Sequence, residues 1–155
     1  MVTKVRDMSK EDLYNKTLEW IKKTYKDPRD IIKTDLENDF IKIESIKEGL
    51  RCTAPQTSKV CYDVKYEIEI SFKDNKYMFD VTQMEYYEQP TEHKKGGWLP
   101  LYPNNDASMI FDKEGNLKYG MKNYYQDVPN FFNDLNEQIK NYVEFNERAN
   151  RKTDW

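Results

Sequence analysis

Residues 60–73 read VCYDVKYEIEISFK, and this run carries the strongest structural signal in the chain. Apolar or aromatic side chains occupy every second position without a break: Val60, Tyr62, Val64, Tyr66, Ile68, Ile70 and Phe72. Most of the positions between them are polar or charged. Because successive side chains of a strand point to opposite faces, this pattern predicts one long strand that is buried on one face and polar on the other.

A hairpin is predicted directly after this strand. Asp74-Asn75 suits a two-residue turn, and residues 76–88 are expected to return as the next strand. Counting back from the turn places further apolar side chains on the buried face: Tyr77, Phe79 and Val81.

The residues before this hairpin predict one helix and further strands. Ser9-Lys10-Glu11-Asp12 has the form of a capping box, so a helix is expected to begin there and to end before Pro28. Its apolar row consists of Tyr14, Leu18, Ile21 and Tyr25. Shorter strands are predicted over residues 2–7 and 31–36, and a longer one over residues 40–52. In the longer strand the apolar side chains change parity, which indicates either a bulge near Ser45 or a strand that is covered on both faces.

The second half of the chain is less regular. Residues 88–126 are predicted to form a long loop, either unpatterned throughout or with a small hairpin around a tight turn at 112–116. Asp127 is expected to cap a helix over residues 127–146, with a polar tail at 147–155. The prediction is a single α+β domain over residues 1–146. Its antiparallel sheet of four to five strands grips an N-terminal and a C-terminal helix, in the order β-α-β4-α.

The two cysteines allow two interpretations. One register of neighbouring strands places Cys52 opposite Cys61. The same register sets Ile41 opposite Phe72 and so builds an apolar face. Opposed cysteines can form a disulfide, which persists mainly in an oxidising compartment, or they can remain reduced at a strand end. The sequence leaves both open.

Composition argues against several kinds of chemistry. The chain has 155 residues, a formal net charge of -3 and one histidine, His93. The spacing of Cys52 and Cys61 fits no common zinc pattern, and no glycine-rich phosphate loop is present. No catalytic residue, metal site or cofactor is therefore predicted. No apolar run is long enough to cross a membrane, and residues 1–10 lack the apolar region of a signal peptide.

The capped helix and the hairpin resemble a bacterial family known as domain of unknown function 4468, which is assigned a TATA-binding-protein-like (TBP-like) fold. The resemblance covers residues 2–87. It rests on the following segments: 9–14, 19–21 with Tyr25, 31–33, 40–43 and 66–77. It implies a TBP-like fold and an exported bacterial protein, and it brings no catalytic residues. If the chain is exported, it is expected to be a mature segment with an added Met1.

The polar face of the predicted sheet is the candidate binding surface. It is expected to carry Glu48, Asp63, Lys65, Glu67, Thr82 and Tyr86, with Trp98 and Tyr102 as an aromatic rim. Aromatic side chains supply large contact areas with a polar group, which suits recognition of a peptide, a glycan or another envelope protein. We therefore expect a non-enzymatic binding or protein-interaction module outside the cytoplasm. The alternative for the same residues is a solvated sheet face without a ligand.

Two other functions are alternatives to binding. A carboxylate-dependent hydrolase acting on an envelope polymer would need two acids, or an acid and His93, converging in a cleft. Nucleic-acid binding is suggested only by the name of the fold, and a fold does not carry function with it. The acidic side chains on the sheet face would repel phosphate, so we expect no nucleic-acid partner.

Overall fold

The predicted hairpin is formed by two long strands, Val60–Lys73 and Lys76–Glu88, joined by the two-residue turn at Asp74 and Asn75. Asn75, the second residue of this turn, adopts a positive φ of 62°, a conformation that asparagine tolerates better than most residues. Burial in the first strand alternates as the sequence predicts. Val64, Ile68 and Ile70 are fully withdrawn from water, whereas the side chains between them remain half-exposed.

The computed structural model describes residues 1–53, 58–101, 112–116 and 121–151. Of residue 53 and residues 121–125 and 146–151 it describes only the backbone. The helices are α1 (Lys10–Thr24), α2 (Pro28–Ile31) and α3 (Met121–Arg151). The strands are β1 (Val2–Lys4), β2 (Ile32–Leu36), β3 (Phe40–Thr53), β4 (Val60–Lys73), β5 (Lys76–Glu88) and β6 (Gly97–Pro100).

Within the described residues the strands form one six-stranded sheet in the order β1-β5-β4-β3-β2, and β6 also pairs with β5. The predicted α+β class, with an antiparallel sheet and a helix from each half of the chain, is confirmed. The sheet exceeds the predicted four to five strands because β6 forms inside the segment predicted as loop. The segment predicted as a small hairpin, 109–119, lies mostly outside the described residues; its turn at 112–116 is present, closed by a 2.8 Å bond from Asp112 N–H to the Asn116 carbonyl.

The chain divides into two compact units. The first unit comprises Met1–Ser45, Glu67–Thr82 and Asp134–Trp155, and the second comprises Ile46–Tyr66 and Gln83–Asn133. Each is described separately below.

In the first unit, α1 and α3 pack on the buried face of the hairpin. Ser9 caps α1 as predicted, since its hydroxyl accepts a 3.1 Å hydrogen bond from the Asp12 N–H. Tyr14 of α1 packs edge-to-face on Phe72 of β4, with ring centroids 5.8 Å apart. From β5, the Tyr77 hydroxyl donates a 3.1 Å hydrogen bond to the Asn136 carbonyl of α3. The buried residues of α1 are Leu13, Tyr14, Thr17, Trp20 and Ile21, so Leu18 and Tyr25 lie nearer the edge of the predicted stripe.

In the second unit, α3 covers the start of β4. Tyr66 packs edge-to-face on Phe131 and Phe132, with both centroid distances at 5.4 Å. The helix begins at Met121 rather than at the predicted cap, Asp127, and Pro129 lies inside it. Pro129 has no N–H to donate within the helix and disfavours a regular turn before it. The contacts of Phe131 and Phe132 with Tyr66, directly after it, hold this part of the helix against β4. The helix also runs past residue 146 to Arg151, in agreement with the high helix propensity of Glu, Arg and Ala in the predicted tail.

The register between β3 and β4 changes along the strands. A backbone bond of 2.8 Å joins Phe72 N–H to the Asp39 carbonyl, and Cys52 is bonded to Cys61. From Asp39 to Cys52 there are 13 steps, but from Cys61 to Phe72 there are only 11, so β3 contains two extra residues. Ile41 therefore lies opposite Ile70. The predicted partner, Phe72, is wrong.

The two extra residues leave the facing of β3 relative to β4 unchanged, so the parity change predicted near Ser45 is not a reversal of the strand. Ile41 and Ile43 are buried at odd positions, whereas Leu50 and Cys52 are buried at even positions. Gly49 lies between these two pairs and adopts a positive φ of 59°, which is typical of a bulge residue. Leu50 and Cys52 therefore lie on the face of Cys61, which is opposite to the face of Ile41 and Ile43, so β3 buries side chains first on one face and then on the other.

Two isoleucines that differ in burial should differ in what they contribute to stability. Ile70 of β4 is fully buried, whereas Ile46 of β3 is 52% exposed. Ile70→Ala should lower the unfolding free energy by about 2–5 kcal/mol because it leaves a cavity. Ile46→Ala, the same change at an exposed strand position, should cost less than about 1 kcal/mol. Urea unfolding followed by circular dichroism measures both, and equal costs would contradict the assigned faces.

A second prediction concerns alkaline pH. The Tyr14 hydroxyl donates a 2.7 Å hydrogen bond to the Asp35 carboxylate, and burial, followed by that bond, raises the pKa of Tyr14 to about 12 from 10.0. Since the folded-state pKa is the higher one, the stabilisation is complete below pH 10 and is lost as the pH rises towards 12. Tyr14→Phe should cost about 1–2 kcal/mol at pH 8.

The difference between Tyr14→Phe and the unchanged protein should shrink as the pH is raised from 10 to 12. The other tyrosines titrate in both proteins and cancel in the comparison. The free energies of unfolding are measured with urea. If their difference stays constant across this pH range, the protonated Tyr14 hydroxyl does not stabilise the fold.

Candidate functional site

Strand β6 brings aromatic side chains together in the second unit. It pairs with β5 so that Trp98 lies directly opposite Tyr87, and the two rings meet edge-to-face at 5.3 Å. The connection from β5 to β6 depends on Gly96, which has a φ of 67°. A Cβ atom at this position would lie 2.4 Å from the Pro90 nitrogen, so only glycine fits this turn.

Lys65 of β4 links these rings to the sheet. Its ammonium group lies 4.9 Å from the centre of the Trp98 ring and also forms an ion pair with Glu85. The side chains of Lys65 and Glu85 are only 24% and 19% exposed. We call Lys65, Glu85, Tyr87 and Trp98 the Trp98 cluster. A partly desolvated cation over an aromatic ring contributes about 0.5–2 kcal/mol, enough to hold the rings in a defined orientation.

A second group of contacts surrounds Arg51, also in the second unit. The guanidinium group lies 4.2 Å from the centre of the Tyr86 ring and 5.6 Å from that of Tyr62, and the two tyrosine rings are 5.8 Å apart. All three side chains are half-buried. We call them the Arg51 cluster.

The two clusters lie on opposite faces of the sheet within the second unit. Tyr62 has the parity of the buried residues of β4, whereas Lys65 has the opposite parity. The sequence predicts that Tyr86 shares a face with Lys65. In the structure, Tyr86 lies instead on the opposite face, together with Tyr62 and Arg51.

The position of Tyr86 has a physical cause in β5. Thr82 lies beside Glu67, in the register that the two-residue turn sets, but Glu85 lies beside Lys65, one residue out of that register. A slip of one residue moves every following side chain to the other face of a strand. The irregularity between Thr82 and Glu85 thus reverses the facing of Tyr86.

The contacts found for the other predicted site residues are with residues outside the Trp98 cluster. The Asp63 carboxylate accepts a 2.8 Å hydrogen bond from the Gly49 N–H and thereby stabilises the bulge, while Glu48 is exposed beside it. In the first unit, the Glu67 carboxylate accepts a hydrogen bond from the Thr82 hydroxyl. It also forms an ion pair with Lys42, with 3.3 Å between Oε1 and Nζ. Tyr102 lies outside the described residues. Of the predicted set, the contacts join Lys65 to Trp98 and Glu67 to Thr82.

Sequence reasoning missed four members of these clusters: Arg51, Tyr62, Glu85 and Tyr87. Tyr62 belongs to the alternating pattern that predicts the buried face of β4, and Tyr87 gains its partner only through β6. Arg51 carries one usable signal: the register that opposes the two cysteines also sets Arg51 beside Tyr62.

The cysteines form a disulfide in the second unit. Cys52 is bonded to Cys61, with 4.0 Å between their Cα atoms, which confirms that they are opposed. The bond joins the residue after Arg51 to the residue before Tyr62, so it fixes these two strands next to the Arg51 cluster.

The groups that a hydrolase would use are placed as follows. His93 is exposed in a turn, where its backbone N–H donates a 3.4 Å hydrogen bond to the Thr91 hydroxyl. Glu67 and Glu69 both contact the Lys42 ammonium, at 3.3 and 3.7 Å. In the part of the chain that the structure describes, no group of three or more His, Cys, Asp or Glu side chains could hold a metal ion. Among the described helices, none is both long and apolar enough to cross a bilayer.

The sheet order, with helices packed on one face of a long hairpin, defines an α+β protein of the TBP-like class. Two solved structures share this fold. A TBP-like protein from Parabacteroides distasonis ATCC 8503 matches with a TM-score of 0.61 and 18% identity, covering 92% of this chain and 89% of that one. A DUF4468 family protein from Bacteroides ovatus ATCC 8483 matches with a TM-score of 0.70 and 14% identity, covering 92% of this chain and 83% of that one.

Residues 1–87 match the family described as domain of unknown function (DUF4468) with TBP-like fold. The chain belongs to this family, which confirms the resemblance noted in its first half. No curated protein matches the chain. At identities of 14% and 18%, the two structures establish the fold and say nothing about a ligand.

The disulfide leads to a prediction about thiols and stability. Freshly isolated protein, unfolded without a reductant, should show no free thiol, and reduction should release two. The double variant Cys52→Ser/Cys61→Ser should unfold at lower urea concentration, with a loss of about 2–3 kcal/mol for a loop of this length. In the presence of reductant the two proteins should become nearly equal. Two free thiols in the native protein would contradict the bond.

Proposed function

We propose that the protein is a non-enzymatic protein-interaction module that works outside the cytoplasm, and that the Trp98 cluster is its binding surface. The observation that carries this proposal is the arrangement of Lys65, Tyr87 and Trp98, which are half-buried, mutually in contact and carried by strands. Tryptophan and tyrosine are enriched among the residues that dominate binding energy at protein interfaces.

The cluster is organised before any partner binds. Lys65 is held by both Glu85 and the Trp98 ring, and Tyr87 is held against Trp98 by the strand pairing. Side chains that are already ordered lose little conformational entropy on association, so more of the contact energy remains for affinity. The disulfide supports the proposed location, since such bonds persist mainly in oxidising compartments.

A protein partner fits this surface better than a glycan does. Sugars bind aromatic side chains by stacking on the ring face, and the Lys65 ammonium already lies over one face of Trp98. A protein can instead contact the ring edges and accept the lysine as a neighbour. The hydrolase alternative needs acids free to exchange protons, and the acids that are brought together, Glu67 and Glu69, are both paired with Lys42.

The test is affinity capture from the cell envelope of the source organism, followed by calorimetry with the purified partner. Trp98→Ala should weaken the partner's Kd by at least about 30-fold, the effect of losing an interface residue worth about 2 kcal/mol. Phe145→Ala removes an aromatic side chain that is 71% exposed in the other unit and serves as the matched control. It should leave the Kd unchanged.

Near-UV circular dichroism establishes that both variants are folded. The proposal is overturned if no envelope protein is enriched over bare resin, if only polysaccharide is retained, or if Trp98→Ala and Phe145→Ala bind the partner equally well.

A further inference from the structure

Three lysines lie side by side across three neighbouring strands of the first unit. Lys4 of β1 is directly opposite Lys76 of β5. Lys76 is in turn opposite Lys73 of β4, because the two residues flank the two-residue turn. Directly opposed residues point to the same face, so the three ammonium groups form a row on one face of the sheet.

This row is unfavourable for folding. Like charges directly opposite each other on neighbouring strands destabilise a sheet. All three lysines are exposed, and none of the ion pairs found among the described residues includes one of them. An arrangement that opposes folding, with no ion-pair partner among the described residues, is expected at functional sites, and a row of cations suits an anionic partner.

An apolar depression lies next to the row. Val2 is directly opposite Met78, and these side chains are 65% and 42% exposed. A cavity of about 210 Å³ is lined by Val2, Ser71, Lys73, Lys76, Tyr77 and Met78. This volume is below the roughly 300–1,000 Å³ of sites for drug-sized ligands, so the cavity suits a single large side chain. We call the lysine row and this cavity the lysine-row pocket.

We infer that the lysine-row pocket binds an acidic peptide segment of a partner protein, with one apolar side chain in the cavity and carboxylates on the lysines. Neighbouring strands are about 4.8 Å apart, so the row spans about 10 Å. Three residues of an extended peptide cover the same length. The spacing matches a motif in which acidic residues flank a large apolar residue.

A discrete peptide fits this surface better than an anionic membrane. By the hairpin register, the outward-facing pair that follows Ser71 and Met78 along β4 and β5 is Glu69 and Asp80, and Asp80 is exposed. A planar bilayer would contact this acidic pair together with the lysines and be repelled by it, whereas a short segment can avoid it. The site is independent of the Trp98 cluster, because all its residues belong to the first unit.

The probe is a displayed library of random heptapeptides, selected on the folded full chain. Selection should enrich peptides in which acidic residues flank Leu, Met or Phe. An enriched peptide, labelled with fluorescein, should lose at least about tenfold in affinity for Lys73→Glu/Lys76→Glu, measured by anisotropy. Lys47→Glu, at an exposed strand lysine of the other unit, and Trp98→Ala should bind it as the unchanged protein does.

Single variants test the cavity and the lysine row separately. Met78→Ser should weaken the peptide without changing its salt dependence, whereas Lys76→Gln should reduce that dependence. Because Lys76→Gln removes like-charge repulsion, it should also raise the melting temperature at low salt, and a lower one would overturn the argument from repulsion. Enrichment of basic peptides, equal binding by the double variant, or lysine-dependent sedimentation with phosphatidylglycerol vesicles would each overturn the peptide assignment.

Discussion

Every second side chain of β4 from Val64 to Phe72 is withdrawn from water, and the arrangement of the other elements follows from this burial. Each such side chain contributes about 1.5–3 kcal/mol when it is fully buried. The strand cannot slip by one residue without exposing the whole set, so its facing is fixed. In the first unit the same constraint positions α1 through Tyr14 and α3 through Tyr77, whose partners lie on the buried face.

The two aromatic clusters depend on where the neighbouring strands depart from regular pairing. The bulge at Gly49 leaves a backbone N–H that the Asp63 carboxylate satisfies. The irregularity between Thr82 and Glu85 reverses the facing of the end of β5, so that Tyr87 rather than Tyr86 shares a face with Lys65. Without it, Tyr86 would lie beside Lys65 and the Arg51 cluster would lose a ring. These departures act on side chains at strand ends, where the core places few demands on side-chain identity.

This explains which parts of the structure the sequence could predict. The β4–β5 hairpin was predictable because its pattern is long and its turn has two residues of the required type. The opposition of Cys52 and Cys61 was also predictable, but residues at a strand end do not reveal whether two thiols are oxidised. Strand β6 was missed because four residues between a Gly-Gly pair and a proline show no alternation. The Trp98 cluster could not be predicted without β6, since Trp98 meets Tyr87 only through that pairing.

The low identity to the two solved structures has a physical reading. A half-buried sheet requires apolar side chains at one parity only, so the fold can persist while the other parity changes freely. Folding therefore explains the buried parity of β4 and β5 but leaves their outward parity undetermined. Where the outward parity carries an arrangement that works against folding, such as Lys4, Lys76 and Lys73 in one row, an explanation must come from outside the fold. The proposed acidic partner would supply that explanation, because its carboxylates would neutralise the aligned lysines beside exposed Val2 and Met78.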